Sequence, residues 1–354
     1  MVYLTEVSGK NYTKMTNGNL DLSREFRGKN ILITGGTGSI GHGLIKQLIK
    51  FKPKQIRIFS NDENSIVEIK ESIGNNKIFQ FMVGDVRDKD RLNLAIRNVD
   101  IVFHAAAMKH IDICEQNPFD AVKTNVVGTS NILEASIIEG VKKFLFISTD
   151  KATNPTSTLG GSKLLAERLT LDASTYIGKA KTKFAIVRFG NVIGSRGSVF
   201  QIFQKQIKMK KPLTVTDKRM TRFIMSISEA SSMILNVTKI MKDGEIYILK
   251  MPSIKIEELA KGMLHVYGSR FPAYQNSSAV KISKSRERER FHEFLITKEE
   301  QPFCHGIGPM YKISKIENKK QLSLNEFSSE TAPRISQSKL YKTINELIDE
   351  YISY

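Results

Sequence analysis

The chain has 354 residues, 40% of them hydrophobic, which suffices for one large or two modest packed domains. No apolar run reaches the roughly 18 to 20 residues of a bilayer-crossing helix, and the N-terminal segment lacks a signal peptide's apolar core, so a cytoplasmic protein without a membrane span is expected. The 54 Lys+Arg against 36 Asp+Glu give a net charge of +18, but the lysines are scattered and no zinc-finger or aromatic RNA-binding signature accompanies them, so the charge reads as a lysine-rich solvated surface, no nucleic-acid partner is expected, and phosphate-bearing ligands stay compatible.

From residue 30 onward, short β-rich runs alternate with helical periods. NILIT (30–34), QIRIFS (55–60), KIFQFMVGD (77–85), VDIVFHAAA (99–107), KKFLFIS (142–148) and FAIVRF (184–189) are predicted strands. Between them GHGLIKQLIKF, ENSIVEIKESI, DRLNLAIRN, FDAVKTNVVGTSNILEASIIEG and SKLLAERLTLDASTYI carry helical periodicity. Repeated strand, helix, strand units predict an α/β fold, a Rossmann-like doubly wound parallel sheet that binds ligands beyond the carboxyl ends of its strands. Residues 28–189 are assigned to this NAD(P)-binding domain. The alternation breaks after Phe189, and 190–315 is expected to form a smaller substrate-binding lobe interleaved with the last strands of the sheet. Residues 316–354 are a C-terminal extension ending in a predicted helix, SKLYKTINELIDEYI.

TGGTGSIG (34–41) follows the first predicted strand and opens the first predicted helix. Gly35, Gly38 and Gly41, with Thr37, Ser39 and Ile40 between them, suit close approach of backbone N–H groups to a pyrophosphate, which the helix dipole also favours. The second strand ends in Ser60-Asn61, where an acid would bind the ribose hydroxyls of NAD; Asp62 arrives late. This leans towards NADP, with NAD the alternative. Neither Cys114 and Cys304 nor His110 and His292 stand at metal-ligand spacing, so no disulfide and no metal site is expected, and the histidines read as structural.

The glycine spacing, with Asp85-Val86 after the third strand and Ala105-Ala106 after the fourth, resembles the extended short-chain dehydrogenase/reductase superfamily. That resemblance implies Asp85 and Val86 at the adenine and the alanines beside the ribose and pyrophosphate; a helix cap is the competing role for Asp85. AAMKHIDICEQNPFDAVKTNVVGT (106–129), STDKATNP (148–155), VRFGNVIGSRGSV (187–199), TDKRMTRF (216–223) and RERFHE (288–293) narrow the likeness. Together they resemble the UDP-N-acetylglucosamine 4,6-dehydratases of surface-polysaccharide and glycan biosynthesis, including the inverting branch that also epimerises C5.

The resemblance implies a hydride taken from sugar C4, a proton from C5, loss of the C6 hydroxyl and return of the hydride to C6. It assigns Asp150 as general acid and Lys151 as base, a protonated carboxyl and a neutral amine being favoured by desolvation in a closed pocket. Lys163 would hold the nicotinamide ribose. Four residues earlier, where the superfamily carries a tyrosine, stands Leu159, so the Thr149 hydroxyl, a bound water or Lys163 would relay the C4-hydroxyl proton. Lys109, Asn191, Val199, Arg222, Arg286 and Glu289 would meet the UDP moiety. A homo-oligomer, dimer or hexamer, is implied as well. Two other functions stay open: a UDP-hexose 4-epimerase, which needs no Asp-Lys pair, and an inactive NAD(P)- or UDP-sugar-binding protein that has lost the tyrosine.

Overall fold

The structure is a computed structural model that describes residues 21–74, 76–176, 178, 181–275, 279–283, 289–316 and 327–352. Its strands run in chain order as β1 (Asn30–Thr34), β2 (Gln55–Ser60), β3 (Phe79–Val83), β4 (Ile101–His104), β5 (Lys143–Thr149), β6 (Lys183–Phe189) and β7 (Asn191–Val192). There follow β8 (Leu213–Val215), β9 (Thr221–Met225), β10 (Glu245–Leu249), β11 (Ser253–Lys255), β12 (Val280–Ile282), β13 (Cys304–Ile307) and β14 (Met310–Ile313). The helices that matter below are α1 (Ser39–Leu48), α2 (Glu63–Ile73), α3 (Lys89–Ile96), α4 (Ile111–Gln116), α5 (Pro118–Val122), α6 (Gly128–Ile138) and α7 (Thr158–Asp172). They continue with α8 (Val199–Lys208), α9 (Ile227–Ile240), α10 (Ile256–Arg270) and α11 (Gln337–Ile352).

Two compact units divide the chain. The first takes Met1–Arg188, Ser228–Lys250 and Lys298–Ser323; the second takes Phe189–Ile227, Met251–Thr297 and Leu324–Tyr354. The first is built on a nine-stranded sheet of order β13-β14-β10-β6-β5-β4-β1-β2-β3. β1 pairs in parallel with both β2 and β4, so the chain winds outward to β3 and then returns to the other side of β1, creating a switch point at the ends of β1 and β4. β10 joins β6 in parallel, whereas β14 and β13 add an antiparallel edge. Central strands are apolar along their length because both faces are covered: Ile31, Leu32 and Ile33 of β1 are all fully buried.

Two helices depart from their sequence expectation. The long helix predicted over 119–140 is interrupted by a π-helical turn, Lys123–Val127, between α5 and α6. The wider turn accompanies an inward Asn125 side chain, whose Oδ1 accepts from the Met108 N–H at 2.8 Å. α7 starts at Thr158 rather than at Ser162, because the Ser157 hydroxyl accepts from the Gly160 N–H and caps it there. Leu159, Gly160 and Gly161 are therefore helical.

In the second unit β9 lies between β7, parallel to it, and β11, antiparallel; β8 and β12 form a separate parallel pair. Phe200, Phe203 and Ile207 of α8, Leu259 and Met263 of α10, and Leu340 and Ile344 of α11 fill its core. The C-terminal helix is thus part of this unit's packing.

Candidate active site

The β1–α1 turn is shaped by what its glycines lack. Gly35 has φ +63°, and a Cβ there would lie 2.7 Å from the Ala106 backbone nitrogen; a Cβ on Gly41 would lie 2.3 Å from the Gly36 carbonyl oxygen. The first glycine lets the turn cross the Ala105–Ala106 segment, and the last lets α1 settle on the turn. Gly38, the N-cap of α1, provides no side-chain cap, and the positive end of the helix dipole lies at this turn. This arrangement fits a dinucleotide pyrophosphate.

At the tip of β2 the Ser60 hydroxyl bonds the Thr37 hydroxyl at 2.8 Å and accepts from the Asp62 N–H at 3.2 Å. Asp62 caps α2, its oxygens taken by the Ser65 N–H and hydroxyl. Asp85 caps nothing, since Asp88 is the cap of α3. Instead Asp85 receives Arg87 through Nε at 3.0 Å and Nη2 at 2.7 Å, and Asn61 Nδ2 at 3.2 Å. The Arg87 guanidinium holds the Asp85 carboxyl below the usual range. Val86 is buried against Gly128, at the start of α6.

β5 delivers Thr149 and then a single 3₁₀ turn, Asp150–Ala152. Gly160 allows this turn to press on α7: a Cβ there would stand 2.4 Å from the Lys151 carbonyl oxygen. Asp150 is 0% exposed. Its Oδ1 accepts from the Thr149 hydroxyl at 2.8 Å and from Lys151 Nζ at 3.0 Å. Its Oδ2 is buried with no hydrogen-bond partner among the described residues, as is the nearby Ser148 hydroxyl. An orphaned carboxylate oxygen inside a protein is costly, and its persistence points to a group that arrives from outside.

Lys163 Nζ is buried, donates to the Ile147 carbonyl at 2.8 Å and sits 4.0 Å from the centre of the Phe146 ring. Desolvation pulls its ammonium down to about 7 against the opposing field of Glu167, one turn further along α7. Leu159, 3% exposed, packs with Cys114 and Ala121, and Met108 and Ile111 lie against the same cluster. It fills an apolar site.

The residues assigned to UDP are distributed over both units. In the first, Lys109 is exposed just before α4. In the second, Asn191 is exposed on β7 and Val199 begins α8. Arg222 on β9 donates to the Thr221 carbonyl at 2.8 Å and the Phe291 carbonyl at 3.2 Å, and pairs with Glu289 at 3.3 Å and Glu293 at 3.6 Å. Glu289 keeps a buried Oε2 without a partner among the described residues. Arg286 lies outside the described residues. Among those described, no cluster of residues is suited to a metal ion, both cysteines are free and buried, and no helix is long and apolar enough to cross a membrane.

Three buried polar side chains near the strand ends escape the sequence reading. The orphaned Ser148 lies one residue before Thr149 and looked like an ordinary strand position. His104 and Asn125 are buried polar side chains inside apolar runs, which was the only local signal they offered.

A Rossmann-like sheet with a glycine turn at its switch point and an acid, an amine and a helical lysine at the end of β5 defines a nucleotide-sugar dehydratase/epimerase architecture. Residues 31–315 match the family described as polysaccharide biosynthesis protein, and the chain belongs to that family. It is similar to an uncharacterized membrane protein of Methanocaldococcus jannaschii, 44% identical over 92% of this chain and 98% of that one. It is likewise similar to the UDP-N-acetylglucosamine 4,6-dehydratase (inverting) of Campylobacter jejuni, 42% identical over 82% of this chain and 84% of that one, and to UDP-glucose 4-epimerase of Rickettsia bellii, 38% identical over 81% and 83%. Among solved structures, Pen from Bacillus thuringiensis superposes with TM-score 0.85 at 38% identity, covering 91% of this chain and 98% of that one. The fold is shared with a Streptomyces venezuelae dTDP-glucose 4,6-dehydratase solved with NAD, at 18% identity, TM-score 0.69 and coverage of 90% and 97%.

Proposed function

We propose that this chain is a UDP-N-acetylglucosamine 4,6-dehydratase, of the branch that also inverts C5, acting in polysaccharide or glycan biosynthesis. The observation that carries the proposal is Asp150: fully buried, bonded through Oδ1 to Thr149 and Lys151, with Oδ2 left to a ligand. An epimerase, which only removes and returns hydride at C4, has no use for such an acid beside an amine.

The bound dinucleotide supplies the hydride acceptor and donor. Asp150 and Lys151 supply the protons. The pair is joined by one hydrogen bond, so moving one proton from the amine to the carboxyl converts Asp⁻/Lys⁺ into acid and free base without changing net charge. In the second form Lys151 takes the C5 proton and Asp150 gives its proton to the departing C6 hydroxyl, which leaves as water. Lys163 is the assigned acceptor of the C4-hydroxyl proton, because burial already pulls it down to about 7 and Thr149 donates its own hydroxyl proton to Asp150. NADP is the assigned cofactor: the β2 tip itself is Ser60-Asn61, and Asp62 and Asp85 are engaged by Ser65 and by Arg87 and Asn61, so neither stands as the ribose-binding acid of an NAD site.

Incubation of the purified protein with UDP-N-acetylglucosamine, read by mass spectrometry and proton NMR, tests this. Loss of one water with a 4-keto sugar is expected. A mass-neutral C4 epimer would replace the proposal by the epimerase, and unchanged sugar despite dinucleotide binding would replace it by a binding protein.

A further inference from the structure

A line of buried side-chain hydrogen bonds runs beneath the first unit's strand ends, and none of its members has a place in the chemistry above. It begins at Thr34, the last residue of β1 and the neighbour of Gly35. The Thr34 hydroxyl lies 2.6 Å from His104 Nδ1, and His104 Nε2 lies 3.0 Å from the Thr129 hydroxyl. Thr129 donates to the Asn125 carbonyl at 2.7 Å. From the π turn, Asn125 Nδ2 donates to the Ser162 hydroxyl at 3.0 Å, and Ser162 donates to the Leu159 carbonyl at 2.9 Å. The Asn125 amide also brackets Met108, accepting from its N–H at 2.8 Å and donating to its carbonyl at 3.2 Å.

The directions of these bonds are mutually determined. Thr129 has one hydroxyl proton and gives it to Asn125, so toward His104 it accepts. Nε2 is therefore the protonated nitrogen, Nδ1 is the acceptor, and Thr34 donates to it. The ring cannot reverse one bond without reversing the other. Complete burial favours this neutral form strongly, pulling the imidazole down to about 3, with the field of Lys163 adding to the effect.

We propose that His104 is a positioning residue: through Thr34 on one side and Thr129, Asn125 and Ser162 on the other, it registers the glycine turn against the helix that carries Leu159 and Lys163. The inference rests on the dinucleotide site of the proposed function and not on its dehydration chemistry. Two separate elements, the β1 turn and α7, are joined by a chain with a single polarity, and a dinucleotide contacting Gly35 and Lys163 requires one spacing between them.

The test is a double-mutant cycle between Thr34→Val and Thr129→Val, isosteric changes on opposite edges of the ring, read as the dissociation constant of the reduced dinucleotide without sugar. Each single change is expected to weaken binding about three- to ten-fold. The double variant should be no weaker than the worse single, because one cut already frees the ring to change tautomer. Independent, multiplying losses would overturn the proposal, as would singles that bind like the parent. His104→Gln, which keeps a donor toward Thr129, should bind more tightly than His104→Phe at equal thermal stability; equal loss in both would mean the ring serves only as filling. Because no sugar is present, these outcomes are independent of whether water is lost from UDP-N-acetylglucosamine.

Discussion

The β1–α1 turn and the β5–α7 junction both lie at the carboxyl ends of strands in one sheet, yet they are built on opposite rules. The first works by omission: at Gly35 and Gly41 any side chain would collide with backbone, so function depends on empty space. The second works by partial satisfaction: Asp150 is bonded at one oxygen and left open at the other, and Lys163 is buried to the point where its charge is labile. Errors in the first should therefore appear in affinity, and errors in the second in proton transfer.

The sharpest separation comes from Asp150→Asn. The amide keeps size and a hydrogen-bonding oxygen for Thr149 but holds no transferable proton. Turnover should fall by about 10²–10⁴-fold while dinucleotide affinity stays within about two-fold of the parent, measured by steady-state kinetics and fluorescence titration. A loss confined to affinity would break the contrast.

Gly41→Ala probes the other side. Its Cβ would stand 2.3 Å from a backbone oxygen that cannot rotate away, so α1 must shift off the turn. Dinucleotide binding is expected to weaken by about ten-fold or more, equivalent to at least about 1.4 kcal/mol, whereas turnover at saturating dinucleotide should change far less. Calorimetric titration beside kinetics distinguishes the two.

The same contrast explains which features the amino-acid sequence discloses by itself. Steric demands are local, so Gly35, Gly38 and Gly41 between a β-rich run and a helical period already announced the turn. The parallel sheet was legible in outline for the same reason, because buried parallel strands such as NILIT carry apolar side chains on both faces, whereas the order of its strands was not. Asp150 and Lys151 were visible as types of residue at a strand end, but not the bond between them. The π turn at Lys123–Val127 was invisible because one extra residue in a turn hardly disturbs an apolar period, and the bond that accompanies it, from Met108 to Asn125, is tertiary. The start of α7 was hidden by two glycines of poor helix propensity, one of which is there for the Lys151 carbonyl rather than for the helix.

Leu159 joins the two rules in one side chain and should give the smallest effect. It sits four residues before Lys163 but is packed with Cys114 and Ala121, so the position has apolar filling where a proton relay would otherwise stand. Leu159→Tyr adds volume to a closed cluster, which should cost about 1–3 kcal/mol and lower the melting temperature by several degrees. Activity should be retained or rise, since a phenol offers a second route for the C4-hydroxyl proton. The pH profile then decides which group carries it. In the parent, Lys163 accepts only when neutral, so kcat/KM should rise with pH through an inflection near the lysine's value of about 7. With tyrosine in place the inflection should move or flatten, because the phenol and not the amine receives the proton. A folded Leu159→Tyr variant that is inactive would contradict a relay at this position, and a profile superimposable on the parent's would mean that the phenol takes no proton and the C4-hydroxyl proton still passes by the parent's route; a parent profile without the inflection near 7 would leave Lys163 as an anchor for the ribose.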